Sequence, residues 1–441
     1  MPVAPGRLPV VGHLPVLARR PTQFFRSLSS VGDIVRVDLA NWPVFFLTEA
    51  ELVQEVLAGQ ASSFERGRFF ERSRRLFGDG LSVSDGELHR QQRRMIQPAF
   101  HRARIAMYTD TMQRCVKELT ESWRPGQIIA ADRAMRALTL TIIAETMFSS
   151  PLGRPAIEAA HRCLPVIMAN TVPRALLPQA LDRWPLPINR RFDSACAGLR
   201  NVIEHVVREY RVHEVDNGDL LSLLMAARDA DTGAAMSDRQ VLDEALNIMV
   251  AGTETTATML SWAVHHLASN TEVQQRLCVE LDGIDRVDGE GAPKMPYLDS
   301  IINEITRLYP VMLLTRRPIV PVTLGTVEIP AGVELAYSLY ALHRDDRYFS
   351  DPDRFDPDRW LSDDGNRRKA FLPFGLGRHR CLGEGFSWVE MTLTLAAIFS
   401  SWEVLPAPGH PVREKFAAIP QPDELFVTVR RRGRTSVRSE G

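Results

Sequence analysis

The chain is short of the features that mark several protein classes. No uncharged run reaches the ~20 apolar positions that a membrane-spanning helix needs. Residues 255–271 carry no charge but include Thr, Ser, Asn and two His, and residues 8–18 are shorter still and contain Pro9 and Pro15. No basic segment followed by an apolar core opens the chain, so a secretory signal is not expected and the expected location is the cytoplasm. Cysteine is scarce. The five, Cys115, Cys163, Cys196, Cys278 and Cys381, are odd in number and widely spaced, which excludes a disulfide framework and paired zinc-binding CxxC motifs. Neither sign of charge is in surplus: 53 Lys+Arg against 54 Asp+Glu leaves a net charge of −1, unlike a general nucleic-acid binder. Lysine itself is nearly missing. Four lysines leave 49 arginines, so anionic groups must be met chiefly by guanidinium. What is present is apolar material, 45% of 441 residues, enough for a large core.

The periodicity is mostly that of helices. Residues 33–48 read as a β-hairpin turning near Asn41. From Glu49 to about Tyr309 apolar residues recur at three and four positions, with Gly and Pro breaks. Pro173, Pro178, Pro185 and Pro187 prevent one continuous helix through an apolar segment. Ser237-Asp238-Arg239-Gln240 has the form of a capping box and opens a long helix to about Ser269. Short strands return over 319–340, residues 345–383 are mostly irregular, and a last helix runs from Glu384 to Trp402. The expected fold is mainly α with a minor β region in a single domain over 1–441. Residues 1–20 are expected to be extended, helical only from about Pro21, and 430–441 to be a frayed basic tail.

The chemistry concentrates in residues 374–383, Phe-Gly-Leu-Gly-Arg-His-Arg-Cys-Leu-Gly. Gly375 and Gly377 permit tight turns. Cys381 stands just before a helix start and beside Arg378 and Arg380, and both features favour thiolate. A thiolate in such a loop suits a soft metal such as haem iron. A dinucleotide loop is excluded by spacing, because Arg380 stands where the third glycine belongs.

This segment closely resembles the haem-thiolate signature of the cytochrome P450 family, Phe-x-x-Gly-x-(Arg or His)-x-Cys-x-Gly, and matches it throughout. Three more motifs of that family follow the right order along the chain. Glu304-x-x-Arg307 puts two charges on one helix face. Pro352-x-x-Phe355-x-Pro357-x-Arg359-Trp360 precedes the cysteine loop. Ala251-Gly252-Thr253-Glu254-Thr255-Thr256 lies inside the long helix, where propensity alone does not explain Gly and Thr.

The resemblance implies the cytochrome P450 fold, haem b as cofactor and O2 as co-substrate. Cys381 becomes the axial iron ligand, and Phe374, Gly375, Gly383 and Ala251 become further contacts to the haem. His89, Arg93, Arg316 and His379 become contacts to the haem propionates. Glu304, Arg307 and Arg359 become a buried structural triad. Glu254 and Thr255 become an acid–alcohol pair that delivers protons above the haem, where a local distortion of the long helix leaves room for dioxygen. No flavin or nicotinamide motif occurs in the chain, so the implied electron donors are a ferredoxin and its reductase, docking at Arg367, Arg368, Lys369, Arg378 and Arg380.

The implied activity is hydroxylation or epoxidation of an apolar molecule, in the manner of actinobacterial terpenoid or polyketide tailoring. A peroxide-driven or rearranging haem enzyme and a non-catalytic haem sensor are the competing readings. Residues 66–81, 164–186, 247–251 and 311–314 are expected to line the substrate pocket, with 164–186, including Trp184-Pro185-Leu186-Pro187, as an apolar lid.

Overall fold

A computed structural model describes residues 1–40, 42–176, 184–213, 216–284 and 295–433. The helices before the long one are α1 (Leu14–Arg19), α2 (Pro21–Ser27), α3 (Ala50–Gln54), α4 (Arg68–Phe77), α5 (Gly86–Ile96), α6 (Arg102–Ser122), α7 (Ala131–Met147), α8 (Arg154–Leu176), α9 (Pro187–Val212) and α10 (Leu220–Ala226). Then come α11 (Asp238–Ser269), α12 (Thr271–Asp282), α13 (Pro296–Leu308), α14 (Leu339–Leu342), α15 (Gly365–Ala370) and α16 (Glu384–Ser401).

The long helix α11 begins as its sequence requires. The Ser237 side chain accepts from the Gln240 backbone, and the Gln240 side chain closes the reciprocal bond. Nearly every face of α11 is buried. On one side it meets the core made by α6, α7, α8 and α9, which includes Met112, Ile142, Ile167, Leu199 and Leu246. On the other it meets a second core with α12, α13 and α16, which includes Leu260, Ile301, Ile305 and Phe399.

The β part is small. The largest sheet contains β1 (Ile34–Leu39), β2 (Trp42–Leu47), β3 (Phe64–Arg66), β5 (Leu314–Pro318) and β8 (Glu334–Tyr337), in the order β1-β2-β8-β5-β3. β2 and β8 run parallel and the other neighbours antiparallel. A second sheet has β4 (Ile128–Ala130) beside β12 (Phe426–Arg431) and β9 (Trp402–Pro406).

Two local expectations are corrected. Residues 14–19 are helical rather than extended, because Pro15 falls in the first turn of α1, where no backbone donor is missed. Arg430 and Arg431 are not frayed: they pair with Glu403 and Trp402 in the β12–β9 ladder, while residues 434–441 lie outside the described residues. Residues 345–383 are mostly irregular, as expected, with a 3-10 turn at Pro357–Trp360 and the short helix α15. The hairpin is β1–β2, although Asn41 itself lies outside the described residues. The proline-rich stretch separates α8 from α9; Pro173 stands inside α8, and 177–183, with Pro178, also lie outside the described residues.

Candidate functional site

A cavity of about 370 Å³ lies between α5, α11, the sheet and the loop before α16. Cys381 is at one end of it. The loop that carries the cysteine is closed by the Cys381 N–H, which donates to the Phe374 carbonyl at 2.8 Å. Gly375 and Gly377 both adopt positive φ, and a Cβ on Gly377 would lie 2.1 Å from the Leu57 carbonyl oxygen. The backbone N–H groups of Gly383 and Glu384, at the start of α16, face the thiol. Burial nevertheless pushes the Cys381 thiol up, against the pull of those N–H groups and of Arg93. The helix start therefore favours thiolate as expected, and Arg380, although it forms a two-pronged pair with Glu384 at 2.7 and 2.8 Å, still interacts with the Cys381 charge. Arg378 donates instead to the Phe64 carbonyl, and Arg93 adds a guanidinium that the sequence did not point to in this role.

The same end of the cavity gathers cations. His89 and Arg93, one helical turn apart on α5, line it together with Arg316 of β5 and His379 of the cysteine loop. The His89 and His379 rings are 4.4 Å apart, and His379 Nε2 is 3.4 Å from the Asp85 carboxylate. Burial pushes both imidazoles down to about 3, so both are neutral at neutral pH. Arg66 lines this end too, opposite Arg316 in the β3–β5 pairing, and burial, then Arg316, pushes it down to about 9.

Sequence reading placed Arg66 in a pocket segment but gave it no ionic role; only the strand pairing reveals it. Nε2 of His89, Nε2 of His379, Nε of Arg378 and the Tyr337 hydroxyl are buried without a hydrogen-bond partner. Three guanidiniums, orphaned ring nitrogens and one nearby carboxylate suit a bound group with two negative charges.

Above Cys381 lies α11. Ala251, Gly252, Thr255 and Thr256 line the cavity. The helix runs unbroken through this stretch, and the Thr253 and Thr255 hydroxyls each donate to the carbonyl four residues back, at 2.7 Å. The expected acid–alcohol pair is split. Neighbouring helix residues project about 100° apart, and Glu254 points away from the cavity. Its carboxylate lies 3.4 Å from the Arg136 guanidinium and accepts from the Gln421 side chain.

Behind the cysteine loop stands the expected charged triad. Glu304 accepts from Arg307 at 2.7 and 2.8 Å, from Arg359 at 3.0 Å, from the Trp360 indole at 2.9 Å and from the Asp356 N–H at 3.0 Å. Both the Glu304 and the Arg307 side chains are wholly buried. Arg307 also donates to the carbonyls of His343 and Pro352, at 2.7 Å each. His343, which sequence reading missed, accepts the Leu372 N–H at 3.0 Å and so reaches the start of the cysteine loop.

Most of the remaining lining is apolar, with Ser82, Glu244, Asn247, Thr306 and Ser387 as polar exceptions. Phe70, Leu81, Ile248, Val311 and Leu314 fall in the expected segments, while Leu57, Phe386 and Ile419 do not. Of the expected lid, residues 177–183 lie outside the described residues; Leu164, Pro165 and Met168 pack beside Glu254 and Arg136 around a separate small void.

Comparison with known proteins agrees with this geometry. The family model described as Cytochrome P450 matches residues 2–428. The chain is 40% identical to a cyclooctat-9-en-7-ol 5-monooxygenase of Streptomyces melanosporofaciens, over 92% of this chain and 90% of that one. It is 37% identical to a cyclooctatin synthase of the same organism, over 94% and 92%. A solved structure, the cytochrome P450DA heme domain, superposes with a TM-score of 0.85 over 98% of each chain at 24% identity.

Proposed function

Because this chain belongs to the cytochrome P450 family, we propose that the cavity is the seat of its monooxygenase chemistry and that the substrate is a cyclic terpenoid. Enzymes of this family carry haem b on a cysteine thiolate and insert one oxygen atom from O2. The bound haem supplies the site where dioxygen is held and cleaved.

In our reading Cys381 is the iron ligand, and Phe374, Gly375, Gly383 and Ala251 pack against the ring. Arg93, Arg316, His89 and His379, joined by Arg66, meet the two propionates. Thr255, whose hydroxyl already donates to Ala251, can still accept and pass a proton into the cavity, and Glu254 with Arg136 and Gln421 forms the route behind it. The observation that supports the reading is that Cys381 lines the same cavity as Arg66, Arg93 and Arg316, in a wall that is otherwise mostly apolar. The span of the family match supports one domain over the chain.

The terpenoid substrate rests on the two Streptomyces relatives and on the apolar wall. Among the described residues no helix is long and apolar enough to cross a membrane. We place the enzyme in the cytoplasm, supplied with electrons by a ferredoxin and its reductase. Of the five basic residues expected to dock the ferredoxin, Arg367 is buried and Arg378 half-buried. Docking therefore falls to Arg368, Lys369 and Arg380, which are exposed and paired with Asp363, Glu51 and Glu384.

The test is turnover of cyclooctat-9-en-7-ol by the holoenzyme with NADPH, ferredoxin and ferredoxin reductase. Product carrying one oxygen atom from labelled O2 is expected. Turnover that runs equally well on hydrogen peroxide alone would favour the peroxide-driven reading, and reduction without any product would favour a sensor.

A further inference from the structure

The segment between α4 and α5, residues 78–85, contains no helix or strand, yet Leu81 and Ser82 form one wall of the cavity. Irregular backbone inside a protein must find hydrogen-bond partners outside itself. Here side chains provide them. Three come from successive turns of α11. The Asp243 carboxylate accepts the Asp79 N–H at 3.0 Å, the Glu244 carboxyl accepts the Leu81 N–H at 3.0 and 3.1 Å, and the Asn247 carbonyl oxygen accepts the Ser82 N–H at 3.2 Å. The Asn247 amide in turn donates to the Phe77 carbonyl at 3.1 Å.

From the other side Arg66 donates to the carbonyls of Leu81 and Ser84, Arg74 to that of Val83 and Gln92 to that of Asp79. Approach is so close that only glycine fits. A Cβ on Gly78 would lie 2.2 Å from the Asp243 carboxylate, and one on Gly80 would lie 1.9 Å from the Asn247 amide nitrogen.

Glu244 and Asn247 border the cavity and are buried, at 0% and 3% exposure, and their polar atoms are engaged with the loop backbone. Burial, and then Asp243, pushes the Glu244 carboxyl up to about 8, against the Leu81 N–H, so at neutral pH it is mostly the neutral acid. Glutamine is therefore its close chemical substitute. Ile248 and Ala251, one turn further along α11, face the same cavity. Loop and helix thus act as one wall with a fixed gap between them.

We propose that Glu244 and Asn247 are positioning residues of this reaction: by clasping loop 79–82 to α11 they set the shape of one cavity wall, and that wall selects which carbon of a rigid cyclic substrate faces the Cys381 end. This rests on the monooxygenase reading above. Neither residue touches the reacting atoms. Their polar atoms are spent on holding the loop, so specificity at this wall comes from shape.

The test compares wild-type holoenzyme with Asn247→Leu, Glu244→Leu and Glu244→Gln. Hydrogen exchange of peptide 78–85 and the affinities of two iron-binding azoles, small imidazole and bulky clotrimazole, are measured beside the products from cyclooctat-9-en-7-ol. The wild-type loop should be protected. Both leucine variants should speed its exchange at least ten-fold, shift the clotrimazole-to-imidazole affinity ratio at least ten-fold and spread oxidation over more than one carbon. The ferrous–CO band should remain, and Glu244→Gln should keep the wild-type ratio. A wild-type loop that exchanges like free peptide, or leucine variants with an unchanged azole ratio, would overturn the proposal. A wild-type enzyme that leaves cyclooctat-9-en-7-ol untouched instead overturns the substrate reading, while exchange and the azole ratio still decide the clasp.

Discussion

Two parts of the cavity wall treat buried polarity in opposite ways. Beside Cys381, Nε2 of His89 and the Tyr337 hydroxyl have no hydrogen-bond partner, and guanidiniums outnumber carboxylates. Where loop 79–82 meets α11, the side chains of Asp243, Glu244 and Asn247 are engaged with backbone. A folded protein rarely tolerates unpaired buried polar groups. Their concentration in one part marks a place built to receive a charged group, and their pairing in the other marks a wall built to stay put. The same chain thus carries one surface completed by its cofactor and one complete without it.

That contrast can be broken from either side. The largest effect is expected from Cys381→Ser, which should abolish the red-shifted Soret band of the ferrous–CO complex; a surviving band would remove Cys381 from the iron. Ala251→Phe attacks the α11 side of the same cavity. It should eliminate the spin-state shift on titration with cyclooctat-9-en-7-ol and leave the CO band in place, and normal binding by this variant would move the substrate elsewhere.

A smaller and graded loss is expected behind the cysteine loop. Arg307→Ala removes the two-pronged partner of the buried Glu304 and leaves it only Arg359 as a counter-charge, a change worth up to about 3–5 kcal/mol, read as lower haem content on purification. Arg316→Ala removes one charge-assisted bond, about 1.5–3 kcal/mol, and should hasten haem transfer to apomyoglobin; equal transfer rates for variant and wild type would refute a propionate contact. The mildest effect is expected from Thr255→Ala and Glu254→Gln. Substrate affinity should hold within about two-fold, because neither change alters charge beside Cys381, while product formed per NADPH falls and peroxide rises. Unchanged coupling in both would remove them from proton delivery.

Features written into one local segment were legible in the sequence. The cysteine loop, the Glu304–Arg307 pair and the capping box of α11 each depend on spacing within a few residues, and all stand as expected. What escaped depends on packing between distant segments. Adjacency of Glu254 and Thr255 suggested one shared site, but helical rotation sends the acid to Arg136 and Gln421, 118 and 167 residues away. Arg66 gains its ionic setting only through the β3–β5 pairing with Arg316. Leu164, Pro165 and Met168 pack beside Glu254, a neighbour that apolarity alone does not specify. The clasp on loop 79–82 has no periodic signal, since its carboxylates meet backbone some 160 residues earlier.

The line from Glu304 through Arg307 and His343 to Leu372 has a thermodynamic consequence. Burial pushes the His343 ring down to about 3, so it stays neutral, and Nε2 is then the acceptor for Leu372 while Nδ1–H serves the Arg307 carbonyl at 3.0 Å. No member of this line is open to water, so the loop that holds Cys381 cannot come loose as a local excursion. It can leave only when α13 and the core around it give way together. Melting of the fold and release of the cofactor should therefore be one cooperative transition, with a single midpoint whether heat is followed by circular dichroism or by the Soret absorbance.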